Sequence, residues 1–162
     1  MTSEGPRPGT ELLAVDLGLR TGLAQYGADG RLRAYRSKHF GSVRELRRGV
    51  HAILREDPVP GWVWVEGGGE LAEVWERQAQ HDGIEFRQVH ATDWRTRLLL
   101  PRHRTSGPEA KRHAGRLARS VIDWSGARRP RGGLRHDAAE AILLGLHAVL
   151  EMGWLPRLPD MH

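Results

Sequence analysis

A chain of 162 residues, 39% of them hydrophobic, is long enough for one domain with a packed core and too short for two full ones. Six tryptophans argue against disorder, the lack of cysteine excludes disulfides and thiolate metal sites, and no apolar run approaches the roughly 20 residues that span a bilayer. The formal charge of +5 is almost wholly arginine, because lysine occurs only at Lys38 and Lys111; the forked guanidinium suits phosphate oxygens, although a GC-rich genome produces the same bias. Residues 1–10 read as a flexible polar leader without the apolar core of a signal peptide, so the expected location is the cytoplasm. Leu12 to Val15 reads as a short buried strand, followed by a tight turn over Gly18 to Gly22. Leu23 to Tyr26, the hairpin turn Ala28-Asp29-Gly30 and Leu32 to Ser37 complete a three-stranded antiparallel meander. Ser42 is the expected N-cap of a helix from Val43 to about Arg55, ended by Pro58 and Pro60. Trp62 to Glu66 reads as a buried strand, Glu70 to Asp82 as a helix closing near Gly83, and Glu85 to His90 as a short strand. Thr92 or Asp93 is expected to cap a short helix over Trp94 to Leu99, with a loop over Pro101 to Pro108. Glu109 to Ile122 is an amphipathic helix, Ser125 to Gly133 a basic glycine-rich connection, and Asp137 to Glu151 the last helix. The order implies one domain over residues 11–152, a mixed five-stranded sheet with helices on both faces, and a tail over 153–162.

Four carboxylates mark the strongest of these elements. Asp16 closes the first strand and Glu66 the middle one, while Asp137 and Glu140 open the last helix, three apart and on one face. Taken singly, each has a plain structural explanation: a turn cap, a strand end before Gly67-Gly68-Gly69, or acids favoured at a helix N-terminus. Gathered together they are costly, because like charges repel and a half-buried carboxylate loses hydration. Divalent cations remove that cost. The set meets the needs of two-metal phosphodiester hydrolysis, in which carboxylates hold two ions roughly 3.5–4 Å apart and leave positions open for water and phosphate. Mg²⁺ fits all-oxygen ligation, with Mn²⁺ as a substitute.

The motifs Val15-Asp16-Leu17-Gly18 with Thr21-Gly22, Val65-Glu66, and Asp137-Ala138-Ala139-Glu140-Ala141 resemble the RuvC family of Holliday-junction resolvases, within the RNase H-like nuclease superfamily. The likeness runs from about Leu12 to Ala148, and the stretch Val89 to Arg95 followed by a basic helix resembles the compact, phage-like members. It implies an RNase H-like fold and a homodimer that nicks branched DNA symmetrically. It also implies metal binding and catalysis by Asp16, Glu66, Asp137 and Glu140, with two Mg²⁺ ions per site. Two departures stand out. Glu140 occupies a position where these resolvases usually carry Asp, and Gly67-Gly68-Gly69 replaces the bulky aromatic that inserts at the junction, with Trp75 a turn and a half into the next helix.

Basic side chains flank the acidic set in sequence. Arg20, Arg95, Arg104, Lys111, Arg112, Arg116, Arg119, Arg131, Arg135 and His136 are the candidate nucleic-acid contacts, with Arg112, Arg116 and Arg119 on one helical face. A merely solvated face is the plain alternative for that helix. At least one of Trp62 and Trp64 belongs to the core, whereas Trp94 and Trp124 are the surface candidates for base stacking. The expected activity is cleavage of branched DNA in recombination or repair. The alternatives are another structured nucleic acid (a flap or an RNA–DNA hybrid) or a catalytically silent DNA-binding scaffold. An actin-like phosphate loop at Asp16 to Gly22 would need a second such domain, for which this chain has no room.

Overall fold

The computed structural model describes residues 11–99 and 107–161, so the leader over 1–10 and most of the loop after Leu99 fall outside it. The elements are β1 (Glu11–Asp16), β2 (Arg20–Gly27), β3 (Leu32–His39), α1 (Val43–Ile53), β4 (Pro60–Glu66), α2 (Gly69–His81), β5 (Glu85–Val89), α3 (Ala91–Leu98), α4 (Pro108–Ser125) and α5 (His136–Glu151). The strands form one sheet in the order β3-β2-β1-β4-β5. β1, β2 and β3 pair antiparallel, whereas β4 runs parallel to both β1 and β5. This is the expected mixed sheet with its meander.

The apolar run in β1 follows from its central position, since both of its faces are covered. Leu13 and Val15 join Leu23, Val63 and Val65 in a core under α1 and α2. Leu12 and Ala14 face the other way, into a larger core with Ala24, Trp64 and residues of α3, α4 and α5.

α5 is buried continuously from Asp137 to Val149, which its sequence requires, because a helix apolar on every side has no face to give to water. Two glycines let it lie directly on the sheet. A Cβ added to Gly22 would stand 1.9 Å from the Asp137 carbonyl oxygen, and one added to Gly145 would stand 2.1 Å from the Tyr26 ring. The fully buried Tyr26 hydroxyl donates to the Ile142 carbonyl, tying helix to sheet at a third point.

Several boundaries differ from expectation. β2 starts at Arg20 and β3 continues to His39, because backbone pairing carries both strands through polar residues that read as turn. α3 starts at Ala91, three residues before Trp94: its cap is His90 rather than Thr92 or Asp93, and the Asp93 carboxylate accepts from the His90 backbone N–H at 3.1 Å. α4 runs on to Ser125 and stops at Gly126, whose φ of 72° lies in the left-handed region. Beyond α5 the chain turns back, with Trp154 packing edge-on against Trp62 at 5.2 Å between ring centroids. No helix among the described residues is long and apolar enough to cross a membrane.

Candidate active site

Parallel pairing of β1 with β4 sets Asp16 directly beside Glu66. Both residues continue the alternation that turns Ala14 and Trp64 toward α5. On the other side, antiparallel pairing opposes Asp16 to Gly22, the glycine on which the first turn of α5 rests. Asp137 and Glu140, on one face of that helix end, therefore reach the corner already holding the strand carboxylates. The structure brings together all four acids singled out in the sequence.

Their electrostatics are those of crowded carboxyl groups. Burial pushes Asp16 up to about 8, and Glu66, Glu140 and Asp137 add to the rise against an opposing Arg95. Burial and then Glu140 push Glu66 up to about 7, opposed by the Trp94 hydrogen bond and by Arg95. Glu140 is also raised by burial, with the Arg95 charge and hydrogen bond as the main opposing influences. These groups resist being ionised together.

Three of the four are held by separate donors. The Ser37 hydroxyl on β3 donates to Asp137 Oδ2 at 2.5 Å, and the Trp94 indole N–H on α3 donates to Glu66 Oε2 at 3.0 Å. Arg95 donates to Glu140 Oε1 at 3.3 Å, and His136 Nε2 lies 3.0 Å from the same oxygen. The other oxygen, Oε2, is buried without a hydrogen-bond partner. Among the described residues no three His, Asp or Glu side chains converge as ligands of one point. The donor set nevertheless suits a hard divalent ion: it is all oxygen, its members oppose one another's charge, and one buried oxygen lacks a partner. Asp16, Glu66, Asp137 and Glu140 are the residues that would hold it.

Other expectations require correction. Trp94 is no surface platform; it is fully buried, and its indole serves Glu66. Trp124 is half-buried beneath Arg31, whose guanidinium lies 4.2 Å from the ring centroid. Trp75 is fully buried against the α1–α2 core and cannot insert into anything, whereas Gly68 and Gly69 are exposed. His136, a candidate nucleic-acid contact, is exposed, and its Nε2 also lies 3.0 Å from Glu140 Oε1. Its pKa is lowered by burial, Lys111 and Arg95, so it is mostly neutral near pH 7. Ser37 escaped the sequence reading, and no local signal marks it, since its partner lies 100 residues away.

The basic residues divide into two groups. Arg95, Lys111 and His136 line a cavity of about 100 Å³ that also touches Glu140 and Trp94, so they belong to the site itself. Arg112, Arg116 and Arg119 are exposed along α4, as are Arg131 and Arg135 in the connection leading to α5 and Arg20 at the start of β2. Arg104 lies outside the described residues.

No family model matches the chain, and no curated protein matches it either. Solved structures do. The crystal structure of the fowlpox virus Holliday junction resolvase superposes with a TM-score of 0.60 at 14% sequence identity, over 88% of this chain and 99% of that one. The fowlpox virus resolvase in complex with substrate Holliday junction DNA gives a TM-score of 0.66 at 13% identity, over the same shares. The likeness is one of fold, and the shared fold is RNase H-like.

Proposed function

We propose that this protein is a divalent-metal-dependent endonuclease that cleaves branched DNA, the four-way junction being its foremost substrate. The observation that carries the reading is the placing of Asp16, Glu66, Asp137 and Glu140 at one corner by two adjacent parallel strands and one helix, where burial first and then the neighbouring carboxylates push Asp16 up to about 8. A purely structural corner gains nothing from four acids. Asp16, Glu66, Asp137 and Glu140 would hold two Mg²⁺ ions, which would supply Lewis-acid chemistry for activating a water and for charge on the leaving 3′ oxygen. The chain's own part is to hold the carboxylates in position: Ser37 fixes Asp137, Trp94 fixes Glu66, and Gly22 admits the helix that carries two of the four. The exposed arginines of α4 and of the connection before α5 offer a phosphate track leading to that corner. Similarity in fold to a resolvase seen with junction DNA supports the branched substrate, and the reading includes cleavage as a homodimer, so that each protomer nicks one strand.

A second reading keeps the chemistry and changes the substrate to a flap or an RNA–DNA hybrid. The burial of Trp75 and the exposed Gly68-Gly69 favour it, because no aromatic wedge projects after Glu66. One experiment separates the two. Purified protein is incubated with labelled four-way junction, matched duplex, flap and RNA–DNA hybrid, each with Mg²⁺, Mn²⁺ or EDTA, beside Asp16→Asn. Paired symmetric nicks confined to the junction, absent with EDTA and in the variant, support the resolvase reading. Cleavage confined to another substrate transfers the assignment to it, and DNA binding without cleavage of any substrate refutes both.

A further inference from the structure

Arg95 occupies an unusual place for a DNA-contacting arginine. Its guanidinium lies 5.0 Å from the Trp94 ring centroid while donating to Glu140 Oε1 at 3.3 Å. The arginine side chain is 38% exposed and the carboxylate only 6%. The pair thus joins a deep acid to a cation with an open path to solvent. Arg95 is also the basic group whose charge favours ionisation of Asp16, Glu66 and Glu140 alike. It supplies positive charge where the proposed function puts divalent ions. A divalent ion on the unpartnered Glu140 Oε2 would repel the guanidinium held at Oε1 of the same carboxylate and weaken its hold.

We propose that Arg95 is a displaceable counter-cation: it holds the charge of Glu140 until a divalent ion takes that carboxylate, and it thereby sets the ion affinity of the site. This rests on the metal-binding reading above. The cavity lined by Arg95, Lys111 and His136 gives the released guanidinium room to move without leaving the site. Its partner Trp94 is fully buried, so the aromatic face under the arginine is a fixed surface rather than a mobile one. Lysine at this position keeps the charge, and methionine keeps much of the length and the contact with the ring but loses the charge.

The test is a Mn²⁺ titration of the full chain without DNA, following the electron paramagnetic resonance signal of the free ion. It compares wild type, Arg95→Met, Arg95→Lys and Asp16→Asn. Arg95→Met is expected to bind Mn²⁺ on the order of tenfold more tightly than wild type, with Arg95→Lys close to wild type. In parallel, the rise in melting temperature on adding Mg²⁺ is expected to be larger in Arg95→Met, which in EDTA melts below wild type because Glu140 has lost a partner. Should Arg95→Met fail to fold, Arg95→Gln replaces it, and an intermediate gain in affinity is expected. Equal or weaker binding by the neutral variant overturns the counter-cation role while leaving the metal reading intact. Absence of saturable Mn²⁺ binding in every chain, wild type included, overturns the metal reading and this inference with it.

Discussion

Asp16 is the residue at which the fold works hardest against its own charge, and that opposition has a measurable sign. Its ordinary value is 3.8 and its value in the folded chain is about 8, so between the two the folded state holds a proton that the unfolded state has released. Stability from this group is therefore fully present below the unfolded value and is lost as pH rises through the folded one. Glu66, raised to about 7, acts in the same direction. In EDTA the melting temperature is expected to fall from about pH 5 to about pH 8, to fall less in Asp16→Asn, and to be restored at the upper end by Mg²⁺ only in wild type. A melting temperature that rises across this range in EDTA contradicts the account. Trp94 gives a second prediction at this scale. Trp94→Phe keeps most of the buried ring and removes the donor to Glu66, so cleavage is expected to drop about tenfold or more while stability falls by about 1–2 kcal/mol. Activity assays beside denaturant unfolding read the two effects separately, and equal activity in both chains would remove Trp94 from the site. Both predictions concern contacts that neighbouring sequence does not announce. The polar setting Asp93-Trp94-Arg95 reads as surface, yet the indole is buried because its partner Glu66 arrives from a strand 28 residues earlier.

Among the elements, the decisive contact is between β2 and the start of α5. Gly22→Ala would drive a methyl group to 1.9 Å from the Asp137 carbonyl, which is backbone and cannot swing aside, so the helix end must retreat and take Asp137 and Glu140 with it. The expected result is a loss of about 1–3 kcal/mol and disappearance of the Mg²⁺-induced rise in melting temperature. Gly145→Ala meets the Tyr26 ring two turns further on; it should cost comparable stability and leave the Mg²⁺ response in place. Thermal melts of the two variants with and without Mg²⁺ check the contrast, and an equal Mg²⁺ response in both would show that the helix end tolerates displacement. The elements themselves were legible wherever apolar runs were long. β1, β4 and α5 are buried on every side, so hydrophobicity alone marks them, and the acids at their ends stand out against it. The shorter α3 and the polar ends of β2 and β3 were not legible to the same degree. Their limits are set by hydrogen bonds to other segments, as when β2 draws Lys38 and His39 into the sheet. Ser37 shows the same limit on the site: an ordinary serine in an edge strand gains its meaning only when α5 brings Asp137 to it.

For the molecule as a whole, charge is divided between an acidic corner and exposed arginines, and the two halves respond to different variables. If Arg112, Arg116 and Arg119 each neutralise a backbone phosphate, changing all three to Ala lowers the slope of log affinity against log salt by about 2 to 3 units for duplex arms. Fluorescence anisotropy over a salt series measures it, and an unchanged slope would put the phosphate track on another surface. The same division accounts for the tolerance of a net positive chain to a cluster of acids, since the positive side chains inside the site are few and are engaged with it. The burial of α5 has a further consequence, for synthesis rather than for chemistry. Two of the four acids lie on α5, the last helix described, and the Tyr26–Ile142 bond that ties it to the sheet spans 116 residues. A nascent chain halted before that helix carries Asp16 and Glu66 without the helix that packs on β1 and β2, and lacks half of the cluster. On the proposed reading, a product cut short before the last helix would be inert as a nuclease, because it lacks Asp137 and Glu140.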